Sequence, residues 1–158
     1  MKGVLLVAGD ARRRVWLYDS FAGPPKARLA GPAPCDEYDL SADPGMAVSV
    51  EAVRLNFARF GLLDDRVILV PGLFTETVVA PAVERIALLR LDADLFSSTA
   101  QALAGLYPRV VPGGFVVVDD YGSWPGCRTA VDRYVATLAS KPRLQWIDSH
   151  AVFWRKDA

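Results

Sequence analysis

The residues best suited to chemistry are four aspartates that close two apolar runs: Asp92 and Asp94 after Ile86 to Leu91, and Asp119 and Asp120 after Phe115 to Val118. An apolar run that turns abruptly acidic is how a buried parallel strand looks when it delivers carboxylates at its C-terminal end. If the two strands are neighbours, all four aspartates converge on one rim of a sheet, where ligands of open α/β sheets bind. Carboxylates so crowded repel one another and raise their pKa values unless a cation lies between them. Oxygen-only ligation favours Mg²⁺, Mn²⁺ or Ca²⁺ over zinc. Taken singly, the same acids could be loop solubilisers, helix N-caps or members of an ion-pair network. The coincidence of two acidic strand ends favours a site.

The intervening residues predict how those ends are held. Ile86 to Leu91 and the β-branched Phe115 to Val118, which follows the turn Pro112-Gly113-Gly114, both read as inner strands. Between them, Ala100, Leu103, Ala104 and Leu106 recur at helical spacing from Ser97 to Tyr107, opened by the capping types Ser97, Ser98 and Thr99 and stopped by Pro108. Strand, helix, strand implies a right-handed parallel crossover.

Composition sets the frame. The 158 residues suit one domain with a single core, so residues 1–158 read as one unit. Eighteen Lys and Arg balance eighteen Asp and Glu, which gives no argument for nucleic acid or an anionic membrane surface as partner. Cys35 and Cys127 match no metal or redox spacing and suit a reducing cytoplasm. Met1 to Val7 lacks the cleavage site of a signal peptide, and no run is long enough to span a bilayer.

Elsewhere, Met1 to Ala8 is ambiguous between helix and short strand. Val15 to Tyr18 alternates as a strand and stops at Asp19-Ser20-Phe21. An acid there can accept ribose hydroxyls of a nucleotide-like cofactor, but an Asx turn is the simpler reading of Asp19 alone. Gly23 to Pro34 reads as a mobile surface loop. Ser49 caps a helix from Val50 to Phe60, with Val53, Phe57 and Phe60 expected in the core and Gly61 as its stop. Val67 to Val70 is a strand, Tyr121 to Cys127 a constrained loop whose Trp124 walls a pocket or anchors packing, and Arg128 to Leu138 a helix. Leu144 to Ile147 and Val152 to Trp154 form a terminal antiparallel pair, with His150 in its turn as a weak candidate for proton transfer.

Together, Val15 to Pro25, Val53 to Val67, Leu89 to Thr99, Pro112 to Arg128 and Val152 to Lys156 resemble the macrocin O-methyltransferase (TylF-type) family over nearly the whole chain. The resemblance implies a Rossmann-like methyltransferase α/β sheet, mostly parallel with an antiparallel C-terminal strand. It also implies an S-adenosylmethionine- and Mg²⁺-dependent enzyme that methylates a sugar hydroxyl of a bacterial glycosylated natural product. Position by position it makes Asp92, Asp119 and Asp120 metal ligands, Asp94 the general base, and Asp19 with Ser20 the cofactor-binding strand end. A cation holding the hydroxyl oxygen would make it more acidic while Asp94 takes the proton. Gly72-Leu73-Phe74 stands where the family has Gly-Trp-Phe, losing one aromatic near the cofactor.

Members of that family also carry an upstream strand and glycine-rich turn for the methionine end of the cofactor, and Met1 to Ala8 aligns with the helix that follows them. The sequence therefore reads as N-terminally truncated, with weakened cofactor affinity. Met1 to Ala8 is too close to Val15 for a parallel crossover and is expected to form a helix or hairpin. Unpaired edges are expected on the strands ending at Asp19 and Asp92, and with them poor solubility or homo-oligomerisation. A non-catalytic remnant that binds a cation or a partner chain is the alternative. A Mg²⁺-dependent phosphoryl hydrolase is a third, though no phosphate-binding loop supports it.

Overall fold

The computed structural model describes residues 1–25 and 43–157. Most of the expected loop from Gly23 to Pro34, and Cys35, lie outside the described residues. In chain order the elements are α1 (Lys2–Val7), β1 (Val15–Asp19), α2 (Val50–Arg59), β2 (Val67–Pro71), α3 (Phe74–Thr77), β3 (Ile86–Leu91), α4 (Phe96–Leu106), β4 (Val110–Val118), α5 (Pro125–Ala136), β5 (Gln145–Trp146) and β6 (Val152–Arg155). Met1 to Ala8 resolves as a helix, Lys2–Val7, one of the two forms that the short link to Val15 allows.

The strands form two sheets. β1 and β2 pair in parallel, with Val15 opposite Val67 and Asp19 opposite Pro71. The larger sheet has the order β3-β4-β6-β5, in which β3 and β4 are parallel and β6 runs antiparallel to both its neighbours. The mostly parallel sheet with an antiparallel C-terminal strand is the α/β class the sequence predicts. β1 and β3 do not hydrogen-bond to each other, so each is the edge of its sheet among the described residues. β4 is the inner strand expected, whereas β3 is paired on one side only.

Alternation along the strands sorts the core. Leu89 and Leu91 of β3, Val116 and Val118 of β4, and Val152 and Trp154 of β6 are buried in one cluster with Ala102, Leu103 and Leu106 of α4 and Val131 of α5. Fully burying each Val or Leu side chain among them contributes about 1.5–3 kcal/mol, so this face holds the sheet on the helices. The residues between them occupy the other face, where Leu88 and Phe115 are each 43% exposed. Register places Leu88 beside Phe115 and Arg90 beside Val117, so Arg90 shares that second face.

Several boundaries differ from expectation. α5 begins at Pro125, where a missing N–H costs nothing in the first turn, so only Tyr121 to Trp124 remains loop. β4 begins at Val110 and carries Pro112-Gly113-Gly114 inside it, with a register irregularity against β3 between Ile86 and Leu88. α4 starts at Phe96 with Leu95 as its N-cap, and no side chain caps it. Ser98 instead turns its hydroxyl back to the Ala93 carbonyl at 2.5 Å. In α2, Ser49 caps as expected, accepting Ala52 N–H at 3.2 Å, and Gly61 ends the helix at φ 64°. Val53 and Phe57 are only half-buried, however, and Phe60 is 72% exposed, because no residue of this helix reaches a core. None of the helices among the described residues is long and apolar enough to cross a membrane.

Candidate functional site

The two acidic ends meet because β3 and β4 stop together. Leu91 pairs with Val118, and the next amide, Asp119 N–H, still donates to the Leu91 carbonyl at 2.9 Å. Beyond that point the carboxylates divide by strand parity. Asp92 and Asp119 continue the face that carries Arg90, and Asp120 continues the face toward the helices.

On the first face, Arg90 lies between the two acids. Its Nε donates to Asp119 Oδ2 at 2.8 Å, its Nη2 donates to the same oxygen, and Nη2 also reaches Asp92 Oδ2 at 3.2 Å. The bond to Asp119 holds the Arg90 proton more firmly than usual. On the second face, Asp120 Oδ2 accepts the backbone N–H groups of Ala93 at 3.2 Å and Asp94 at 3.3 Å. These bonds brace a tight turn in which Asp94 stands at φ 53°, a conformation that side-chain-bearing residues adopt rarely.

Asp94 is the electrostatically strained member. Burial raises its pKa first, then the charges of Asp120 and Asp92, to about 6, while a hydrogen bond from Trp124 pulls the other way. Burial likewise raises Asp120, against the amide hydrogen bond from Asp94. Of the two readings of Trp124, the packing anchor fits: it packs against the core and does not line the cleft, and it also bonds to Asp94.

Asp92 and Asp94 face a cleft shared with the end of β1. Asp19, Ser20, Gly72, Leu73 and Phe74 line one side, Asp92, Ala93 and Asp94 the other, and Ser97, Ser98 and Gln101 of α4 its floor. Asp19 does form the expected Asx turn, accepting Phe21 N–H at 2.8 Å. Ser20 donates to the Gly23 carbonyl at 2.6 Å and accepts Ala22 N–H at 3.2 Å. Both still border the cleft. Asp119 and Asp120 stand behind its rim rather than in its lining.

Sequence reasoning missed Arg90 as the partner of the acids, although its i, i+2 spacing to Asp92 was a signal. It also missed Gln101 and read Ser97 and Ser98 only as caps. His150 is exposed in the β5–β6 turn, where its Nδ1 lies 2.8 Å from Ser123 Oγ. It does not border the cleft.

For a hard divalent cation, Asp92, Asp119 and Asp120 are the right donor type on adjacent strand ends. Their present arrangement is committed elsewhere, to Arg90 and to two amides. Accordingly, among the described residues no three His, Cys, Asp or Glu side chains are gathered to hold a metal ion.

The family model described as Macrocin-O-methyltransferase (TylF) matches residues 1–156. The chain is 44% identical, over all of its length, to an 8-demethyl-8-(2,3-dimethoxy-alpha-L-rhamnosyl)-tetracenomycin-C 4'-O-methyltransferase of Streptomyces olivaceus, covering 60% of that relative. It is 40% identical over 99% of its length to a demethyldecarbamoylnovobiocin O-methyltransferase of Streptomyces niveus, again covering 60% of it. A mycinamicin III 3''-O-methyltransferase of Micromonospora griseorubida is 38% identical over 98% of the chain and 62% of the relative. The chain therefore spans about three fifths of the length of these curated relatives. Among solved structures, the O-methyltransferase NovP superposes with a TM-score of 0.95 at 39% identity, over 100% of this chain and 66% of that one.

Proposed function

The chain belongs to the macrocin O-methyltransferase (TylF) family, and on that premise we propose that it carries an S-adenosylmethionine-dependent O-methyltransferase site for a sugar hydroxyl of a bacterial natural product. One observation carries the reading: Asp19 and Ser20 from one strand end and Asp94 from another border the same cleft. The first pair suits a cofactor ribose, and the last suits an acceptor hydroxyl.

The cofactor side fits by chemistry. Asp19 spends one oxygen on Phe21 N–H, and a carboxylate offers about four lone-pair sites, so acceptors remain for ribose hydroxyls. Leu73 and Phe74 give an apolar wall for a flat ring.

Asp94 is the general base. With its pKa raised only to about 6, it is ionised at neutral pH and more basic than an ordinary carboxylate. The acceptor hydroxyl proton would pass to an Asp94 oxygen, and S-adenosylmethionine when bound would supply the methyl group to the alcohol oxygen from its sulfonium, which is left a neutral thioether. Displacement needs in-line approach, so holding the two reactants in one cleft supplies much of the rate. Trp124 and Asp120 fix Asp94 by its side chain and its backbone. With Arg90 on Asp92 and Asp119 and two amides on Asp120, the three acids would hold Mg²⁺ only after regrouping, and a cation so held would lower the pKa of a hydroxyl against it.

The partner on this reading is a small glycoside, not nucleic acid or a membrane. Incubation with methyl-labelled S-adenosylmethionine and 6-deoxysugar glycosides tests it. Label recovered as an O-methyl ether on the sugar supports the assignment, and label confined to the aglycone, or transferred to none of the glycosides, refutes it.

A further inference from the structure

Gln101 is a polar side chain of the cleft that none of the roles above uses. It lies half-buried on α4, and its carboxamide has no hydrogen-bond partner among the described residues. The other polar groups of the floor differ: Ser98 Oγ donates to the Ala93 carbonyl at 2.5 Å, and Ser97 is engaged as well. We propose that Gln101 is a specificity-determining residue that pairs with the adenine base of the cofactor, its carbonyl oxygen accepting from the exocyclic amino group and its amide donating to the neighbouring ring nitrogen. The proposal rests on the reading of the cleft as a cofactor site.

The position of Gln101 follows from how α4 meets α3. A Cβ on Gly105 would collide with the Val78 carbonyl oxygen, so α4 lies directly against the residue that ends α3. Gln101 precedes Gly105 by four residues and so shares its face of the helix, one turn nearer the acidic rim. There it borders the cleft together with Leu73 and Phe74, the apolar wall suited to a flat ring, with Asp19 and Ser20 at the ribose end. A ring stacked on that wall presents its edge, not its face, to the groups beside the wall. Adenine carries a donor next to an acceptor on such an edge, and a carboxamide carries the matching acceptor and donor side by side. A purine without the amino group would leave the Gln101 carbonyl lacking a donor in a partly enclosed site, and that deficit is what confers selectivity.

The test is calorimetric binding of two nucleosides to the wild-type chain and to its Gln101→Leu variant, which keeps a good helix former at the position. One is methylthioadenosine, which carries the base and ribose that the cleft would hold, and the other is its analogue with unsubstituted purine in place of adenine. The wild-type chain should bind the adenine nucleoside about tenfold tighter, the scale of a hydrogen bond or two. Gln101→Leu should lose that preference by weakening the adenine nucleoside alone. In the wild-type chain, the Gln101 side-chain amide signals in nuclear magnetic resonance should also shift as methylthioadenosine is added, which keeps the idea testable even if the variant does not fold. Equal binding of the two nucleosides by wild type, an unchanged preference in Gln101→Leu, or Gln101 signals unmoved at saturation overturns the role of Gln101 while leaving the cofactor reading standing. Binding of neither nucleoside to the wild-type chain overturns the cofactor reading and the role of Gln101 together.

Discussion

Asp120 accepts the backbone N–H of Asp94 at 3.3 Å, so one acid of the rim fixes the main chain of another. The same oxygen takes Ala93 N–H at 3.2 Å, and the two bonds hold a turn with Asp94 at φ 53°. Asp120→Ala should lose about 1–2 kcal/mol of stability through these unsatisfied amides, and amide hydrogen exchange at Ala93 and Asp94 should quicken. Asp120→Asn keeps an acceptor oxygen and should leave that exchange nearly unchanged. Equal exchange in both variants would mean that the carboxylate does not brace the turn.

At the opposite margin, Asp64 receives the buried Lys2 Nζ at 2.7 Å on each oxygen and Arg66 Nη2 at 2.5 Å. These partners hold its pKa down at about 2, below the ordinary carboxylate. A depressed folded-state pKa means that the folded state releases this proton more readily than the unfolded chain. The resulting stability is present above about pH 4 and fades as pH falls toward about 2. Urea denaturation of wild type and Asp64→Asn should therefore show a gap near neutrality that closes across that acid window. A gap independent of pH would count against the assignment.

Gly72 turns the chain from β2 into the cleft wall at φ 138°, and a Cβ there would meet Thr77 Cγ2 at 2.9 Å. Gly72→Ala should cost about 1–3 kcal/mol in thermal unfolding, and should disturb Leu73 and Phe74 beside it. Gly72→Ala combined with Thr77→Ser should recover part of the loss by removing the clashing methyl while leaving the backbone strain. No recovery would show that the strain alone accounts for it.

These cases mark what the sequence could and could not reveal. The strand tips were legible because β-branched runs such as Phe115 to Val118 end in acids, and period-two alternation then fixes the buried face. Asp19 was legible first as a turn and only second, from its place at a strand end, as a cofactor contact, and the resemblance is what favoured the latter. The division of the carboxylates was not legible: it depends on the parallel register that sets Arg90 beside Val117 and so within reach of Asp119. Nor was the exposure of Phe60, since helical spacing marks an apolar stripe without saying whether anything packs on it.

The central claim is that Asp94 takes the acceptor proton, and Asp94→Ala measures it most directly. Methyl transfer from labelled S-adenosylmethionine to a glycoside that wild type accepts should fall by about 10²–10⁴-fold, while calorimetric cofactor affinity stays close to that of wild type. An Asp94→Ala chain that binds the cofactor and transfers its methyl at the wild-type rate would contradict the account.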